Sequence, residues 1–326
     1  MSEYPRFLAS ELPLRPADEC RFQVIPVPFE ATVSYGGGTA LGPEAILEAS
    51  SQLEVWTGRA VPSRHGIYTW PAVDCTGQVE EVLDRIEQAV HTALVQGPQT
   101  EKYPVPKPEP MPETASGLSS GIAAKKPLLP PAKPVVPVVL GGEHTVSLGV
   151  LRALKNCYGS FGVIHFDAHA DLRDSYEGTP YSHACVMRRA VQDLDLPLYQ
   201  IGVRSLSPEE ELYRRAQNIQ HLDARTAQFP GFPSPFGLPD GFPGNVFLSF
   251  DVDALDSSLM PATGTPEPGG LLWWDALELV ERSLKGRCCL GFDVVELAPA
   301  PSLHSPTYTA ARLVHEIMGI IAPEPL

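Results

Sequence analysis

A short acidic cluster with a histidine directly follows one of the apolar runs of the chain. Asp167, His169 and Asp171 come after the run 161–166 at positions i, i+2 and i+4. Side chains at this spacing point to one face of an extended segment, so the three are expected to converge. Their charges would be unfavourable at close range without a cation, which indicates a divalent-metal site. The alternative is a polar loop in which each aspartate is solvated or caps a helix.

A second pair of carboxylates, Asp251 and Asp253, follows the apolar run 246–250 at positions i and i+2. Such a pair alone could cap a helix, but both clusters together offer four carboxylates and up to two imidazoles. That set is too large for one metal ion and fits two bridged divalent ions. Oxygen-rich ligation without thiolates favours Mn²⁺ or Mg²⁺ over structural zinc. Because paired metals activate water near neutral pH, the pattern predicts metal-assisted hydrolysis.

Five further polar residues could belong to the site or have a structural role. His144 follows a pair of glycines that lets the chain turn sharply, although one histidine at a turn does not specify a role. His183 could transfer a proton or be structural. Asp293 and Glu296 follow the last apolar run and could hold a cationic substrate or cap a helix. His165 has the opposite parity to the first cluster, which predicts a hydrogen-bonded core histidine.

The elements that must position these residues follow from hydrophobic patterning. Short apolar runs, typical of strands covered on both faces, recur at 22–27, 135–140, 161–166, 246–250 and 288–292. Helix-like segments lie between them at 42–52, 78–95, 146–156, 208–217 and 273–286. This alternation predicts an α/β fold with a largely parallel sheet. Ligands bind outside the carboxyl ends of such strands, so the polar clusters are expected to meet at that edge.

The chain length and one unusual segment define the expected domain organisation. The chain has 326 residues, of which 43% are hydrophobic, enough for a sizeable core. We expect a single domain over 1–326, with a proline-rich insertion at about 101–134. Nine of the 31 residues from Pro104 to Pro134 are proline, and the centre of this segment is small and polar. Such a composition is typical of a flexible segment, the alternative being a proline-rich docking ligand.

Charge and cysteine usage exclude several classes of partner and compartment. The formal net charge of −15 argues against a nucleic-acid or anionic-membrane partner and is compatible with a cationic substrate. The six cysteines form no C-x-x-C pair, which favours reduced thiols. The first 20 residues lack the apolar core of a signal peptide, and no apolar run reaches about 18 residues. These features predict a cytoplasmic protein that does not enter a membrane.

Three motifs resemble the signature blocks of the ureohydrolases, the family of arginases and agmatinases. They are Gly-Gly-Glu-His at 141–144, Asp-Ala-His-Ala-Asp at 167–171 and Ser-Phe-Asp-Val-Asp-Ala-Leu-Asp at 249–256, in the family's order. The similarity covers most of the chain except the proline-rich insertion. It implies a three-layer α/β sandwich with a mostly parallel sheet of about eight strands. It also implies two Mn²⁺ ions per subunit and a homo-oligomer, commonly a trimer or hexamer.

The resemblance also assigns roles residue by residue. It implies that His144 and Asp171 bind one ion, His169 and Asp253 the other, and that Asp167 and Asp251 bridge both. A hydroxide between the ions would attack the guanidinium carbon, and Asp171 would relay a proton towards the leaving amine. His183 matches the family's proton-shuttle histidine, and Glu296 matches the glutamate that pairs with the guanidinium. The products would be urea and a primary amine.

The expected substrate within the family is agmatine, giving urea and putrescine. Arg173 stands where arginases typically have an asparagine, and the segment 171–189 is more similar to agmatinases. Asp174 and Glu177 are then expected near the mouth of the site, where they would bind the distal amine. N1-aminopropylagmatine, guanidinobutyrate, guanidine and arginine remain alternative substrates. A one-zinc deacetylase of similar fold and a metal-bound binding module without activity are the alternatives outside the class.

Overall fold

The structure, a computed structural model, describes residues 4–97, 135–228 and 237–323. The proline-rich insertion predicted at about 101–134 lies outside the described residues. Within the described part of the chain, no helix has the length and apolarity needed to cross a membrane.

Eight strands form one sheet in which every neighbouring pair is parallel. They are β1 (Phe22–Val27), β2 (Ile67–Thr69), β3 (Val136–Gly141), β4 (Gly162–Phe166), β5 (Leu198–Ile201), β6 (Gln220–Leu222), β7 (Asn245–Asp251) and β8 (Cys288–Val295). Their order across the sheet is β2-β1-β3-β8-β7-β4-β5-β6. The four central strands are therefore β3, β8, β7 and β4, and their carboxyl ends lie side by side.

Helices cover both faces of the sheet. They are α1 (Gly42–Ser50), α2 (Val79–Gln96), α3 (Val146–Tyr158), α4 (Val186–Gln192), α5 (Pro208–Ala216), α6 (Ala224–Gln228), α7 (Trp273–Leu284) and α8 (His304–Ile321). Helices α1, α7 and α8 pack together on one face, and α2, α3 and α4 pack on the other. Each face has its own hydrophobic core, and alternate strand residues such as Val138 and Val139 point into opposite cores. The three-layer α/β sandwich predicted from the sequence is confirmed.

The boundaries of two strands differ from the prediction in a way that matters for the site. Strand β8 extends to Val295, so Asp293 lies inside a buried strand and not after it. Strand β7 ends at Asp251, and the next three residues, Val252–Ala254, form a single 3₁₀ turn. An apolar run marks the centre of a strand, but the backbone hydrogen bonds to neighbouring strands determine where the strand ends.

Candidate active site

The polar residues singled out in the sequence meet at the carboxyl edge of the four central strands. His144 follows β3, Asp167 follows β4, Asp251 ends β7 and Glu296 follows β8. The strands are neighbours in the order β3-β8-β7-β4, which brings segments far apart in the chain into contact. We call the six residues at its centre the His/Asp cluster: His144, Asp167, His169, Asp171, Asp251 and Asp253.

One half of the His/Asp cluster surrounds the imidazole of His144. Its Nδ1 lies 3.1 Å from Asp167 Oδ2, 3.1 Å from Asp171 Oδ2 and 3.3 Å from Asp251 Oδ2. This nitrogen is buried, and none of the three approaches has hydrogen-bond geometry. Three carboxylate oxygens and a ring nitrogen converging in this way are arranged as ligands around a common point, which fits a divalent cation.

The other half of the cluster surrounds His169. Its Nδ1 lies 2.9 Å from Asp253 Oδ2 and 3.4 Å from Asp167 Oδ1. Asp167 therefore faces His169 with one oxygen and His144 with the other. Two groups of residues able to hold a metal share this carboxylate. A shared carboxylate between two adjacent groups of donors fits a pair of neighbouring cations.

Turns, and not an extended segment, bring these side chains together. Asp167 Oδ1 accepts the backbone N–H of His169 at 2.5 Å, and Asp251 Oδ1 accepts that of Asp253 at 2.8 Å. Asp171 adopts the left-handed region with φ of 53°. A non-glycine residue in this region carries a strain of roughly 1–3 kcal/mol, which the surrounding contacts must offset. The predicted convergence is correct, but its mechanism differs from the one that the i, i+2 spacing suggests.

A buried chain of hydrogen bonds orients the imidazole of His144 through its Nε2. Its Nε2 lies 2.9 Å from Ser249 Oγ, and this hydroxyl donates to Asp293 Oδ1 at 2.9 Å. Asp293 also accepts the backbone N–H of Phe250 and the hydroxyl of Ser147. Metal-binding histidines are typically oriented in this way through their second nitrogen. The sequence analysis did not assign Ser249 a role, although a serine inside an apolar strand is a detectable signal.

His165 is the buried, hydrogen-bonded histidine that its position in β4 predicts. Its Nε2 lies 2.8 Å from Asp167 Oδ2, and its Nδ1 lies 3.1 Å from Gln200 Nε2. Because an amide nitrogen only donates, Nδ1 accepts and Nε2 carries the proton that it donates to Asp167. Gln200 in turn donates to Ala170 O at 2.8 Å. His165 therefore holds Asp167 between the two halves of the cluster.

The electrostatics of the cluster favour binding of positive charge. Burial and the charges of Asp253 and Asp167 raise the pKa of Asp251 well above its ordinary value. Burial also opposes ionisation of Asp167, but His165 and the neighbouring imidazoles hold its pKa well below the usual range. Burial lowers the pKa of His169, yet Asp167 and Asp253 outweigh it and raise this pKa to about 12. A divalent cation that replaced the protons on these groups would bind with proton release.

Two adjoining cavities open from the cluster. The inner cavity, of about 30 Å³, is lined by His144, Asp251, Asp253 and Glu296 among others. The outer cavity, of about 280 Å³, is lined by the loop residues Arg173, Tyr176, Ser205 and Ser207 and by Glu210 of α5, among others. His169, Asp171 and His183 line both cavities. A small site for the reacting group thus continues into a larger one that can take an attached chain.

Glu296 occupies the wall of the inner cavity. Its Oε1 accepts the backbone N–H of His144 at 2.6 Å, and its own N–H donates to Gly142 O at 2.8 Å. Its φ of 65° places it in the left-handed region, which turns the chain out of β8. Burial raises the pKa of its carboxyl well above the usual value, although the His144 N–H opposes this shift. A buried carboxylate is stabilised by a cation, so the inner cavity is suited to a guanidinium group.

Asp174 and Glu177 lie outside both cavities. The exposed Asp174 carboxylate accepts a hydrogen bond from Arg189 Nη2 at 2.7 Å and lies 3.7 Å from Arg188 Nη2. Glu177 is exposed on a turn closed by hydrogen bonds between Tyr176 and Thr179. The structure brings neither side chain together with the other predicted site residues. The charged partners of Asp174 explain its position, because they are supplied by α4 and not by the site.

A His/Asp cluster at the carboxyl edge of an all-parallel α/β sheet defines an α/β enzyme with a site able to hold metal ions. Residues 20–319 match the model of the Arginase family. This chain belongs to the arginase family, whose members are binuclear metal-dependent hydrolases of guanidino C–N bonds.

Comparison with individual proteins agrees with this assignment. The chain is 35% identical over 320 residues to an N(1)-aminopropylagmatine ureohydrolase of Synechocystis sp., covering 96% of this chain and 93% of that one. It is 30% identical to an agmatinase of Pyrococcus horikoshii, covering 96% of each. Its structure resembles that of the agmatine ureohydrolase of Thermoplasma volcanium, with a TM-score of 0.74, 28% identity and 96% coverage of each chain. The predicted membership of the ureohydrolases is confirmed.

Proposed function

We propose that this protein hydrolyses the guanidinium group of N1-aminopropylagmatine, with agmatine as the second candidate, and releases urea and an amine. The observation that carries the proposal is the buried His/Asp cluster facing Glu296 across a small cavity that widens outward. The sequence analysis favours agmatine. The greater identity to an N(1)-aminopropylagmatine ureohydrolase favours the longer substrate.

The His/Asp cluster would hold two Mn²⁺ ions. His144 and Asp171 would bind one ion, His169 and Asp253 the other, with Asp167 and Asp251 between them. When bound, two such ions lower the pKa of water towards neutrality and so supply the nucleophile for hydrolysis. The donor set supports this proposal because it is rich in carboxylate oxygens and contains no thiolate.

The remaining site residues would orient the substrate and handle protons. Glu296 would pair with the guanidinium group and hold its carbon towards the His/Asp cluster. Its Oε1 is already fixed by the N–H of His144, and its Oε2 has no hydrogen-bond partner among the described residues. Asp171 would relay a proton towards the departing nitrogen, and His183 would exchange protons between the inner and outer cavities. Both residues line both cavities, which supports these roles.

The outer cavity would receive the amine arm of the substrate. N1-aminopropylagmatine carries one more amine and three more methylenes than agmatine, so it needs more room beyond the reacting group. The outer cavity of about 280 Å³ offers that room next to the inner one. The net charge of −15 also attracts a polycation. Because Asp174 and Glu177 do not line this cavity, substrate binding by either stays a prediction with no support from their positions.

Urea release from a panel of guanidino compounds tests this proposal. With Mn²⁺ present, kcat/KM is expected to fall from N1-aminopropylagmatine through agmatine to arginine and guanidinobutyrate. The variant Glu296→Gln is expected to lose most of this activity while it keeps its bound metal, and the exposed Glu80→Gln serves as the matched control. Faster turnover of arginine than of either amine would refute the substrate proposal. One zinc per chain would favour the deacetylase alternative.

We also propose that the protein works as a homo-oligomer in the cytoplasm, as the family resemblance and the six free cysteines suggest. Sedimentation analysis of the full chain tests the first part, with a trimer or hexamer as the expected species. A monomer at micromolar concentration would contradict it. Fractionation of cells that express the protein tests the compartment.

A further inference from the structure

A threonine hydroxyl from a distant part of the chain holds the ring of His183. Thr32 Oγ1 lies 3.0 Å from His183 Nδ1 and accepts the backbone N–H of His183 at 3.1 Å. The ring of Tyr176 lies edge-on to this imidazole, with ring centroids 5.7 Å apart. The imidazole therefore has a fixed orientation at the place where the inner and outer cavities meet.

Glu143 determines the direction in which this hydroxyl donates. The backbone N–H groups of Ala31 and Thr32 both donate to Glu143 Oε2 at 2.6 Å. The hydroxyls of Thr145 and Thr32 donate to Oε1 at 2.6 and 2.7 Å. Glu143 is fully buried, and with four donors directed at its two oxygens it acts only as an acceptor. Thr32 therefore donates its single hydroxyl proton to Glu143.

Because Thr32 donates its hydroxyl proton to Glu143, its Oγ1 can only accept a hydrogen bond from the imidazole of His183. A hydroxyl has one proton and two lone pairs. One lone pair of Thr32 Oγ1 accepts the backbone N–H of His183, so the other faces His183 Nδ1. Nδ1 makes a hydrogen bond there only if it is the donor. The other hydroxyl near Nδ1, that of Ser182, is 3.4 Å away, so the 3.0 Å contact with Thr32 is the stronger one. Neutral His183 then carries its proton on Nδ1 and a lone pair on Nε2, which has no hydrogen-bond partner among the described residues.

We propose that Thr32 and Glu143 are positioning residues that fix the Nδ1–H tautomer of His183 and leave Nε2 to exchange protons with the substrate. This inference rests on the proposed role of His183 in the reaction. In each turnover, Nε2 would accept one proton from the attacking water to form an imidazolium and would then give that proton to the departing amine, which receives its second proton through Asp171. The Nδ1–H stays in place, directed at Thr32 Oγ1. A general base oriented through its second nitrogen transfers protons in the same way elsewhere.

The connection between Thr32 and Glu143 depends on close packing of two loops. Gly142 N donates to Val27 O at 2.8 Å, and Glu143 N donates to Phe29 O at 2.9 Å. A Cβ on Gly142 would lie 2.0 Å from Phe29 O, so only glycine allows this approach. The loop after β1 is thereby held against the loop after β3, which places Thr32 between Glu143 and His183.

Nitrogen NMR of the full-length protein tests the tautomer directly. The sample is ¹⁵N-histidine-labelled protein loaded with diamagnetic Mg²⁺, in which His183→Asn identifies the His183 signals by their loss. The expected spectrum shows a protonated Nδ1 and an unprotonated Nε2 for neutral His183. In Thr32→Val, a fraction with the proton on Nε2 is expected to appear. A wild-type His183 protonated on Nε2, or an even mixture, would overturn the proposal.

Kinetics of matched threonine variants test the consequence for turnover. Thr32→Val is expected to lower kcat roughly 10- to 100-fold, with KM and metal content unchanged. Thr32→Ser keeps the hydroxyl and is expected to restore kcat. Thr92→Val removes an exposed hydroxyl that bonds only Gln88 on α2, and it is expected to behave as wild type. Wild-type kcat in Thr32→Val, or loss without rescue by Thr32→Ser, would overturn the positioning role.

The two experiments also separate this inference from the proposed function. If the wild-type protein released urea from none of the guanidino compounds, the proposed function would fail. The NMR measurement would still decide the tautomer, because it needs no turnover.

Discussion

The inner and outer cavities share five lining residues, yet they are built in different ways. The inner cavity takes its functional groups from the ends of β3, β8, β7 and β4, whose positions are set by parallel ladders. The outer cavity takes its groups from loops, such as Tyr176 after β4 and Ser205 after β5. Strand ends can be placed from hydrophobic runs, whereas loop side chains are placed by partners elsewhere in the chain. Expectations for the inner cavity therefore agree with the structure better than those for the outer cavity.

The largest expected effect is the loss of a ligand from the His/Asp cluster. In Asp253→Ala, urea release is expected to fall to background, because one of the two metal groups loses a carboxylate. The folded state is expected to persist, since removal of Asp253 also removes a charge that opposes ionisation of Asp251. Urea assays, metal analysis and circular dichroism check these outcomes. The exposed Asp240→Ala serves as the control, and undiminished activity in Asp253→Ala would refute the two-metal assignment.

Metal removal is expected to make stability depend on pH. The pKa values of His144, His169, Asp251 and Glu296 are all raised in the folded state, so this state binds more protons than the unfolded chain. Stability of the metal-free protein should then fall as the pH rises from 6 to 9. Mn²⁺ at 100 times its Kd should add about 3 kcal/mol. Thermal unfolding with and without chelator measures both, and equal melting temperatures at pH 6 and 9 would contradict the prediction.

Gly142→Ala is expected to damage the packing that supports the inner cavity. The new Cβ would meet Phe29 O at 2.0 Å, so the loops after β1 and β3 must separate. We expect a loss of about 2 kcal/mol in unfolding free energy, measured by urea denaturation. Gly244→Ala is the matched control, since no atom lies within 4 Å of its added Cβ. Equal stability of the two variants would show that the loops can separate at no cost.

Asp293→Asn tests whether Asp293 orients His144 through the hydroxyl of Ser249. The carboxylate accepts three hydrogen bonds in a buried strand, and an amide cannot accept all of them in the same arrangement. Metal affinity is expected to fall roughly 10-fold, as is common for groups that orient a ligand. A metal titration followed by activity measures it. An unchanged affinity would assign the orientation of His144 to Ser249 alone.

The smallest effect is expected at the edge of the outer cavity. Asp174→Asn removes an exposed partner of Arg189, and such an ion pair contributes about 0–1 kcal/mol to stability. Because Asp174 does not line either cavity, KM for both amine substrates should change by less than about twofold, within the range of a weak surface interaction. A large increase in KM that is specific to the amine substrates would restore the prediction that Asp174 binds the distal amine.

Much of the fold was predictable because buried parallel strands appear as apolar runs. The five predicted strands are present, and the central four carry the candidate site. The sequence analysis missed β2 and β6, which have three residues each at the sheet edges, and the four-residue β5. Such short strands form because a neighbouring strand provides backbone hydrogen bonds. Their own hydrophobic pattern does not mark them as strands. Helix α8 was also missed, although its apolar residues at 310, 313, 314 and 317 have helical spacing.

The candidate site was predictable as a set of residue types, but not in its supporting contacts. The i, i+2 spacing identified Asp251 and Asp253, yet a 3₁₀ turn and not a strand presents the second. Thr32 and Glu143 gave no isolated signal, and the sequence did not connect Asp293 with His144, because these roles depend on residues more than 40 positions away. Sequence spacing reports local geometry, whereas these contacts depend on sheet order.

Anomalous diffraction from crystals grown with Mn²⁺ tests the central claim most directly. The account predicts two manganese peaks per chain, about 3.5–4 Å apart, one beside His144 and one beside His169. Carboxylate oxygens of Asp167 and Asp251 should lie between them. A single peak, or two peaks away from these residues, would contradict the assignment of the His/Asp cluster as a two-metal centre.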